Sequence, residues 1–487
     1  MKTNALGKHR PHLHFAPQNN WMNDPNGLVF FDGEYHLFYQ YHPYSTIWGP
    51  MHWGHAVSKD LIEWEELDIA LYPDKVGMIF SGSAVVDWEN TTGFFPNEPG
   101  LVAIFTYHLD GKEGEEPNQT QAIAYSSDRG RTWKKYEGNP VLASESKIDF
   151  RDPKVFWYEQ TNKWIMVLAT GQTISFYSSP NLIDWEFESE FGEGIGLHHG
   201  VWECPDLFQL KVSESNEKKW VLFVSVGDNP DFETGSQTQY FIGEFDGQTF
   251  ASDQDSSCLL DFGKDNYAGV SFSDIPEKDG RRIYLGWMSN WRYANEVPTN
   301  GWRSQMTLPR ELSLQEIEGE YYVYQLPVKE LESYFLNVAL DEEMIYANGT
   351  RTFQIGKSYV NCSLSIERQD AAQLEIVLNH SNDQFTKIEI DYNNKEVRLV
   401  RKDSGIIDFS TNFISDQKVK IDNMTKLNFR IIIDSSSIEL FINEGQYALT
   451  SLVYPDHPCE SLSFNSMDGE VKLHNWYIGK PIQSESK

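Results

Sequence analysis

A chain of 487 residues is too long for one ordinary hydrophobic core, so we expect two domains. The formal net charge of −32 disfavours binding to nucleic acid or anionic lipid, because both need a basic surface on the protein. Aromatic residues make up 14% of the chain, which is typical of a β-rich fold, and no apolar stretch of about 18 residues predicts a membrane span.

The N-terminus, the cysteines and the histidines give weak signals. The first ten residues lack the apolar core of a secretory signal, which leaves open a cytoplasmic protein or a secreted one whose signal has been removed. The spacing of the cysteines fits neither a metal site nor a disulfide framework: Cys204, Cys258, Cys362 and Cys459. His52 and His55 have only weak metal-ligand spacing, so we favour core or hydrogen-bonding roles and predict no metal site.

The stretch Trp21-Met-Asn-Asp-Pro-Asn-Gly27 has strong turn chemistry. Pro25 presets its φ angle and Asn26-Gly27 tolerates positive φ, so the stretch predicts a turn. An acid, Asp24, lies there among apolar residues and ahead of a strand-like run, Leu28–Phe31. A turn that only reverses the chain needs neither a tryptophan nor a carboxylate. The question is therefore whether other acids occupy similar positions.

Repeats answer this question. Three segments share an acid near a proline, an apolar strand, a polar turn and a second strand that opens with an aromatic residue: they start at Asp24, Asp152 and Glu203. Looser copies lie at Phe80–Val86 and Val270–Phe272. A second repeated unit is a turn that leads into an outer strand with a tryptophan: Trp64, Trp133 and Trp185. Five repeats of about four short strands predict an all-β fold, a five-bladed β-propeller over residues 10–326.

The first strand of each propeller blade lines the central channel. Strand-start residues of equivalent copies should therefore converge at one mouth of that channel. Asp24, Asp152 and Glu203 start equivalent strands, so we expect three acids that are distant in sequence to meet at one site. The alternative is that each acid is a structural residue at a strand start. The recurrence of the acids in three copies favours the catalytic interpretation.

The residues after 326 predict a second domain. Residues 327–349 indicate an acidic linker with some helical character, and residues 350–482 alternate apolar and polar positions between turns. That alternation predicts an antiparallel β-sandwich. We find no catalytic constellation in it, and we expect Asp434 and Glu439 to face solvent. Its role stays open among covering the propeller, binding polymer and forming an oligomer contact such as a homodimer.

Paired carboxyl groups suggest a specific chemistry. Retaining glycoside hydrolysis uses two carboxyl groups about 5–5.5 Å apart: one attacks the anomeric carbon, and the other protonates the leaving oxygen. Asp24 suits the nucleophile, and Glu203 suits the acid/base because its neighbours are more apolar. Arg151 precedes Asp152 and should keep that acid ionised, so that it can hold substrate hydroxyls and support an oxocarbenium-like transition state.

Three longer motifs follow one another along the chain: Trp21–Gly27, Phe150-Arg-Asp-Pro-Lys154 and Glu203-Cys-Pro-Asp206. In order and spacing they resemble the signature motifs of glycoside hydrolase family 32, which contains invertases, inulinases, levanases and fructan exohydrolases. Smaller motifs of that family also match: Tyr39-Gln-Tyr-His-Pro43, Trp48-Gly49 and Phe80-Ser-Gly-Ser83. The resemblance covers nearly the whole chain. It implies a five-bladed propeller followed by a β-sandwich, the acid roles given above, a β-D-fructofuranoside attacked at C2, and no metal or organic cofactor.

The same resemblance implies which residues hold the fructosyl unit: Asn23, Gln40, Trp48, Ser83 and Arg151. Phe80, in the same motif as Ser83, is assigned to substrate binding with them. Trp287 and Trp291 are candidates to flank the leaving-group subsite with stacking faces. The alternative for both tryptophans is packing inside a blade.

Two further stretches, Leu285–Trp291 and Trp302–Glu311, look most like the exo-acting inulinase and levanase members. We therefore expect an exo-β-fructosidase that acts on levan, inulin, fructo-oligosaccharides and sucrose. A fructosyltransferase or a sucrose-preferring invertase stays open, because these enzymes share the acids. A non-catalytic sugar-binding propeller is disfavoured, since a lectin does not need all three acids. The expected partner is a small or polymeric fructoside, with neither nucleic acid nor membrane, and the oligomeric state is left open.

Overall fold

The structure is a computed structural model that describes residues 7–482 apart from 113, 233, 234, 253, 255, 357, 358 and 382. Residues 1–6, on which the prediction about a secretory signal partly depends, lie outside the described residues. Short runs rich in β-branched and aromatic residues form strands between polar turns, because such side chains pack well on a pleated surface. Within the described part, no helix has the length and apolar character needed to cross a bilayer.

The first part of the chain forms five consecutive sheets. The first set of strands is β1 (Asn20–Phe31), β2 (Glu34–His42), β3 (His52–Ser58) and β4 (Trp64–Glu66). The second set is β5 (Met78–Asp87), β6 (Gly100–Leu109), β7 (Asn118–Ser126), β8 (Lys134–Lys135) and β9 (Leu142–Ala143). The third set is β10 (Arg151–Tyr158), β11 (Lys163–Ala169), β12 (Ile174–Ser179) and β13 (Glu186–Phe191).

The last two sets complete this part. The fourth is β14 (Trp202–Lys211), β15 (Lys218–Val226), β16 (Gln237–Phe245), β17 (Phe250–Ala251) and β18 (Cys258–Leu259). The fifth is β19 (Tyr267–Ser271), β20 (Arg282–Met288), β21 (Trp302–Arg303), β22 (Gln305–Met306), β23 (Arg310–Ile317) and β24 (Glu320–Pro327).

The five sheets surround a channel. Each sheet runs outward from its first strand, for example in the order β1-β2-β3-β4. The first strands contact one another in a closed ring, in the order β1, β5, β10, β14 and β19. The short strand β21 pairs in parallel with β1, so the last segment closes on the first sheet. Sheets that radiate from such a ring are the blades of a β-propeller, numbered 1 to 5 below.

Every inner strand has a register shift near its N-terminal end. In β1 two shifts fall between Met22 and Val29, inside one continuous strand. Gly27 has a φ of +53°, and a Cβ there would stand 2.5 Å from a ring carbon of Phe38, so glycine is required. The predicted turn at Pro25–Gly27 is therefore wrong. Residues that favour turns also suit β-bulges, and bulges re-aim the side chains around them.

The second repeated unit has the same geometry in three blades. The indole N–H of its tryptophan donates to the carbonyl oxygen three residues earlier, at 2.9, 2.9 and 3.0 Å: Trp64 to Leu61, Trp133 to Gly130 and Trp185 to Leu182. A serine hydroxyl at the start of each turn accepts a backbone N–H. These shared contacts explain why the blades have similar sequences in their outer parts.

The rest of the chain forms two facing sheets after a 3-10 helix, Lys329–Tyr334. The strands are β25 (Phe335–Leu340), β26 (Glu343–Ile345), β27 (Thr350–Gln354), β28 (Val360–Arg368), β29 (Gln373–Asn379), β30 (Phe385–Asp391), β31 (Glu396–Val400), β32 (Lys418–Lys420), β33 (Lys426–Ile433), β34 (Ser437–Ile442), β35 (Tyr447–Leu452), β36 (Ser461–Met467) and β37 (Val471–Pro481).

One sheet has the order β25-β37-β28-β33-β34-β35, and the other has the order β27-β36-β29-β30-β31-β32. Their inward residues form one core rich in leucine and isoleucine, as the period-two pattern predicts. The predicted all-β fold, a propeller followed by an antiparallel β-sandwich, is confirmed.

The segment 327–349 differs from the predicted linker. Both β25 and β26 pair with β37 and so belong to the sandwich. Leu336 and Val338 on β25 are exposed, because β25 is an edge strand, and its sequence therefore shows no clear core-facing alternation. Helical structure is limited to Lys329–Tyr334. The sandwich thus begins near Phe335 rather than near residue 350.

Asp434 and Glu439 do not face solvent. Both are buried where the sandwich meets the propeller. His14 Nδ1 lies 2.8 Å from Asp434 Oδ2, and its Nε2 lies 2.9 Å from Glu439 Oε1. Arg310 donates to Glu439 Oε2 at 2.6 Å and to Asp261 Oδ2 at 3.1 Å. We call these five residues the interdomain charge cluster. The expectation was wrong because the propeller covers the sandwich face that carries the two acids.

Candidate active site

Three acids from three blades meet at one mouth of the channel. Asp24, Asp152 and Glu203 lie near the starts of β1, β10 and β14. The Cys204 thiol lies 3.6 Å from Asp24 Oδ2 and 3.6 Å from Asp152 Oδ2, so both aspartates border one sulfur atom. Arg151 Nη2 donates to Glu203 Oε1 at 3.0 Å and so links the glutamate to its neighbours. The repeats therefore bring together side chains that are far apart in sequence.

Glu203 occupies a different position in its repeat from the two aspartates. Asp24 and Asp152 each directly precede a proline, whereas Cys204 stands between Glu203 and its proline. Asp152 and Cys204 have positive φ angles of 64° and 45° at the bulges of their strands. The prediction that the three acids occupy equivalent positions is therefore wrong. By strand register Asp152 is the first residue of its bulge, Asp24 is the second residue of its own, and Glu203 precedes its bulge. Cys204 takes the position equivalent to that of Asp152, and the longer glutamate reaches the site from one residue earlier.

Two side-chain donors hold Asp24. Ser81 Oγ donates to Oδ2 at 2.6 Å, and Asn23 Nδ2 donates to Oδ1 at 3.0 Å. Trp21 Nε1 donates to Asn23 Oδ1 at 2.7 Å, which fixes the amide with its nitrogen toward the carboxylate. Burial raises the pKa of Asp24 and the Glu203 carboxylate raises it further, while the bonds from Ser81 and Asn23 lower it. The carboxylate is thus fixed in orientation and still partly exposed.

Asp152 is the most buried of the three acids, with 6% of its surface exposed. Its Oδ2 accepts the Cys204 backbone N–H at 3.0 Å. Burial raises the pKa of Asp152 to about 7; Arg151 lowers it, and the neighbouring carboxylates raise it. The lowering by Arg151 that the sequence predicts is thus present, but burial outweighs it. The guanidinium Nε lies 4.0 Å from Asp152 Oδ2 and donates instead to Glu203.

Both oxygens of Glu203 accept hydrogen bonds. Arg151 donates to Oε1 from Nη2 at 3.0 Å and from Nε at 3.2 Å, and the Tyr267 hydroxyl donates to Oε2. Sequence reasoning missed Tyr267, and it missed Ser81 beside Asp24. Both lie near the starts of inner strands, in blades 5 and 2. The repeats did contain a signal for them. If the start of the inner strand is examined in the two looser repeats, as it was for the three acids, Ser81 and Tyr267 are found there.

Gln40, Trp48 and Phe80 border the acids with a polar and an aromatic surface. Gln40 lies on β2 opposite the bulge of β1, and its buried Nε2 has no hydrogen-bond partner among the described residues. Trp48 is 38% exposed and meets Phe80 edge to face, with ring centroids 6.3 Å apart. Phe80 stacks on His108 at 4.2 Å. An unpaired amide and a fixed aromatic surface suit the binding of a sugar ring and its hydroxyls.

Ser83 does not contribute a free hydroxyl to the site. Its Oγ donates to the Pro153 carbonyl oxygen at 2.8 Å and accepts the Val155 N–H at 3.0 Å, which ties blade 2 to blade 3. Ser81, two residues earlier, contacts Asp24 instead. The register shift between Phe80 and the residues after it explains this difference, because a bulge breaks the two-residue periodicity of the strand.

Trp287 has no stacking face to offer. It is fully buried, and its ring packs against Trp21, Tyr267 and Trp291 with centroids 6.2, 6.4 and 4.8 Å away. The alternative of packing inside a blade is therefore correct for Trp287. Trp291 is half-buried and keeps part of its surface accessible.

Histidines near the start of the chain serve packing. His55 stacks on Phe38 with ring centroids 4.1 Å apart, and its Nε2 lies 3.0 Å from His36 Nδ1. Across the part of the chain that the structure describes, no group of three or more His, Cys, Asp and Glu side chains is arranged to hold a metal ion.

Comparison with known proteins agrees with this site. Residues 14–327 match the N-terminal domain of glycosyl hydrolases family 32, and residues 328–478 match the C-terminal domain of that family. The chain is 48% identical to a levanase of Bacillus subtilis (strain 168), over 96% of this chain and 70% of the levanase. The crystal structure of an exo-inulinase from Aspergillus awamori superposes with a TM-score of 0.89, at 33% identity and 98% coverage of both chains.

A second solved structure, a β-fructofuranosidase from Schwanniomyces occidentalis complexed with fructosyl-erythritol, superposes with a TM-score of 0.87. It is 31% identical and also covers 98% of both chains. The two family domains together span nearly the whole described part of the chain. The chain therefore belongs to glycosyl hydrolase family 32 and is a glycoside hydrolase.

Proposed function

We propose that this chain is a retaining exo-β-fructosidase, which removes terminal β-D-fructofuranosyl residues from levan, inulin, fructo-oligosaccharides and sucrose. The observation that carries the proposal is the meeting of Asp24, Asp152 and Glu203 at one channel mouth, with Arg151 and Ser81 bound to them. The names of the relatives support the substrate class, since they are a levanase, an exo-inulinase and a β-fructofuranosidase.

In the first step Asp24 attacks C2 of the fructosyl unit. The bond from C2 to the carboxylate oxygen forms while the bond from C2 to the leaving oxygen breaks, and Glu203 gives its proton to that oxygen. Ser81 and Asn23 each hold one oxygen of Asp24, so the nucleophile keeps one orientation. The products are a fructosyl ester on Asp24 and a free alcohol, which is glucose when the substrate is sucrose.

In the second step water replaces Asp24. Glu203, now a carboxylate, takes a proton from the water molecule whose oxygen attacks C2, and the ester bond to Asp24 breaks. Arg151 and Tyr267 hold the two oxygens of Glu203, so this carboxyl group can act as acid and then as base from one position. Two displacements at the same carbon retain its configuration.

Asp152 supports both steps from deeper in the channel. A buried acid whose pKa is raised to about 7 can donate or accept hydrogen bonds with fructosyl hydroxyls. In its ionised form it opposes the positive charge that develops on the sugar ring in the transition state. Asp152 therefore contributes most where ring charge is highest, which is a transition-state effect rather than a binding effect.

A blocked channel supports exo action. Lys154 borders the small space beneath the acids, and its Nζ donates to the Ser271 carbonyl oxygen at 2.5 Å and pairs with Asp206 Oδ1 at 3.4 Å. These contacts span the channel from blade 3 to blades 4 and 5. A site that is closed below the acids accepts the end of a chain and cannot let a chain pass through.

Product analysis tests the proposal. On levan and on inulin, we expect free fructose as the only early product, released with retained anomeric configuration, and we expect fructose and glucose from sucrose. Early release of longer fructan fragments would contradict exo action. Chain-lengthened products that exceed free fructose at high sucrose concentration would identify a fructosyltransferase instead. The kcat/KM values on the three substrates then rank levan, inulin and sucrose.

A further inference from the structure

The other mouth of the propeller channel contains a cavity of about 800 Å³. Residues near the C-terminal ends of inner strands line it, among them Val86 in β5, Phe156 in β10 and Phe208 in β14. Asp152 and Phe156 are four residues apart on β10, so the cavity lies roughly 13 Å from the acids. Lys154 borders this cavity as well as the space beneath the acids and so separates the two mouths. The volume suits a small-molecule site.

The two cations at the floor of the cavity differ in how their donors are used. Lys154 is paired within the channel by Ser271 and Asp206. Arg282 Nη1 donates to Ser271 Oγ at 3.4 Å and to the Phe272 carbonyl oxygen at 3.2 Å, whereas its Nε and Nη2 donate to no described residue. A half-buried guanidinium with unused donors beside a cavity can bind oxygen atoms of a ligand.

Aromatic side chains form the walls. Trp88 is 56% exposed at the rim, and its indole N–H donates to Asp274 Oδ1 at 2.8 Å. Asp274 Oδ2 accepts the Val86 N–H at 3.0 Å, so the carboxylate that holds the Trp88 indole is itself fixed to β5. Trp220 packs against Phe156 with ring centroids 5.6 Å apart, and its N–H donates to no described residue although only 7% of Trp220 is exposed. The cavity therefore offers fixed aromatic faces and unused donors.

The charges of the lining disfavour an ionic ligand. Glu89, Glu159 and Asp274 outnumber Lys154 and Arg282, and the whole chain carries a charge of −32, so an anion would be repelled. A cation would meet the two basic side chains at the floor. A neutral ligand with many hydroxyl groups can bond to both signs of charge and pack its C–H face on an indole ring. We propose that this cavity is a second, non-catalytic carbohydrate site that binds a short segment of a fructan chain.

The choice of fructan as the carbohydrate rests on the proposed function. Because Lys154 closes the channel, a polymer held at the far mouth reaches the acids only around the outside of the propeller, and a chain long enough to do so raises the effective concentration of its own end at the acids. Sucrose is too short to occupy both mouths, so it gains nothing from the second site. The second site therefore acts on polymer hydrolysis and leaves sucrose hydrolysis unchanged.

Calorimetric titration counts the sites. An Asp24→Asn background does not consume the ligand, and a short inulin-type oligosaccharide is the probe. Trp88→Ala is the test variant, and Phe187→Ala is its control, because Phe187 is 54% exposed and lies outside the cavity lining. We expect two classes of site in Asp24→Asn alone and with Phe187→Ala. With Trp88→Ala the second class should weaken at least about tenfold, and Trp88→Phe should restore part of it.

Kinetics provide the second measurement. With Asp24 intact, Trp88→Ala should raise KM on inulin about threefold or more and leave kcat/KM on sucrose equal to that of Phe187→Ala. A single class of site in Asp24→Asn, or two unchanged classes after Trp88→Ala, would overturn the inference. Binding of malto- or cello-oligosaccharides that Trp88→Ala removes would keep a carbohydrate site but overturn fructan as its ligand. Failure of the unmodified enzyme to release fructose from sucrose would overturn the proposed function instead.

Discussion

The molecule brings together two groups of three acids and balances their negative charge differently. At the channel mouth, which holds Asp24, Asp152 and Glu203, Arg151 pairs closely with Glu203 at 3.0 Å and lies 4.0 Å from Asp152, and no ion pair is found for Asp24 among the described residues. In the interdomain charge cluster His14 and Arg310 serve three others: Asp261, Asp434 and Glu439. Both groups lie where elements distant in sequence meet. A difference in pKa between the two groups can therefore be attributed to the cations and hydrogen-bond donors around each acid.

The pKa values follow this difference. Burial raises the pKa of Asp152 to about 7. Burial acts in the same direction on Asp434, but hydrogen bonds from His14 and from backbone N–H groups lower its pKa to about 2. Although burial opposes the charged form of His14, hydrogen bonds to Asp434 and Glu439 raise its pKa to about 9. Depth of burial alone therefore does not decide the charge of an acid in this protein.

The comparison separates stability from chemistry. A fully paired cluster fixes the contact between two domains, because each buried charge has a partner that cannot be removed without cost. At the channel mouth Glu203 is paired with Arg151, but Asp24 and Asp152 lack a close cation among the described residues, and the acids repel one another in the free enzyme. That repulsion costs stability, but it leaves carboxyl groups that can exchange protons with a substrate and bind its hydroxyls. The following variants test this division, from the largest expected effect to the smallest.

Removal of either proposed reacting acid should abolish activity, and only the removal of Asp24 should leave the fold as stable as before. For Asp24→Ala and Glu203→Ala we expect kcat on sucrose to fall about 10⁴-fold or more, because each change removes a group from the covalent chemistry. The melting temperature of Asp24→Ala should stay equal or rise, since repulsion among the acids is relieved. Glu203→Ala should lower it, because buried Arg151 and Tyr267 lose their partner. Steady-state kinetics and calorimetry measure the two effects. Full activity in either variant would contradict the roles proposed here.

Glu439→Gln should have the opposite profile. The change leaves Arg310 and His14 buried without a full counter-charge, so we expect the free energy of unfolding to fall by about 3–5 kcal/mol. The kcat of the folded enzyme should not change, because no residue of the cluster contacts the three acids of the channel mouth. Denaturant titration and sucrose kinetics measure both quantities. Glu444→Gln, at an exposed position in the turn of the same hairpin, is the control, and equal unfolding midpoints for the two variants would refute the prediction.

Asp152→Asn should change both activity and the pH dependence of stability. We expect kcat to fall about 10²-fold or more while KM changes less, because the charge acts on the transition state. An acid whose pKa rises from 3.8 to about 7 on folding stabilises the fold fully below pH 3.8, and this contribution is lost as the pH rises through 7. Asparagine removes the titration. The stability of Asp152→Asn relative to the parent should thus be greater at pH 8 than at pH 4.

Denaturant titrations of both proteins at several pH values measure this difference. A constant difference between pH 4 and pH 8 would show that Asp152 does not titrate in that range. Asp434 provides the contrast, since its pKa is lowered to about 2. Its contribution to stability is present above pH 3.8 and is lost only as the pH falls through 2.

The sequence predicts what repeats in it. The acid-proline strand starts indicated both the propeller and the meeting of three acids, because equivalent strands of a ring share one channel mouth. The sequence could not predict which residue of a bulged strand faces the channel. A bulge shifts the pattern by one residue without a change in composition, which is why Cys204 occupies the position expected for Glu203, and Ser81 contacts Asp24 in place of Ser83.

A second limit concerns surfaces between domains. Alternation along a strand shows which residues share a face, but it does not show whether another domain covers that face. Glu439 looked solvent-facing by this criterion and is fully buried against the propeller. The partners that make its burial tolerable, His14 and Arg310, lie more than a hundred residues away in sequence. No local pattern could have indicated them.

Ser81 and Ser83 allow the most closely matched test of the division between catalytic and structural contacts, because they are two residues apart and chemically identical. Ser81→Ala removes a hydrogen bond to the ionised Asp24, so we expect kcat on sucrose to fall about tenfold with little change in stability. Ser83→Ala leaves the Pro153 carbonyl and the Val155 N–H unpaired between two blades, so we expect a loss of about 1–3 kcal/mol in stability at unchanged kcat.

Kinetics and denaturant titration on the same two variants decide the matter. If Ser83 instead holds the fructosyl unit, as the sequence motif implies, Ser83→Ala should raise KM and leave stability intact. The bulge at Ser81 makes these outcomes mutually exclusive, because it allows only one of the two hydroxyls to reach Asp24 while the other joins blades 2 and 3.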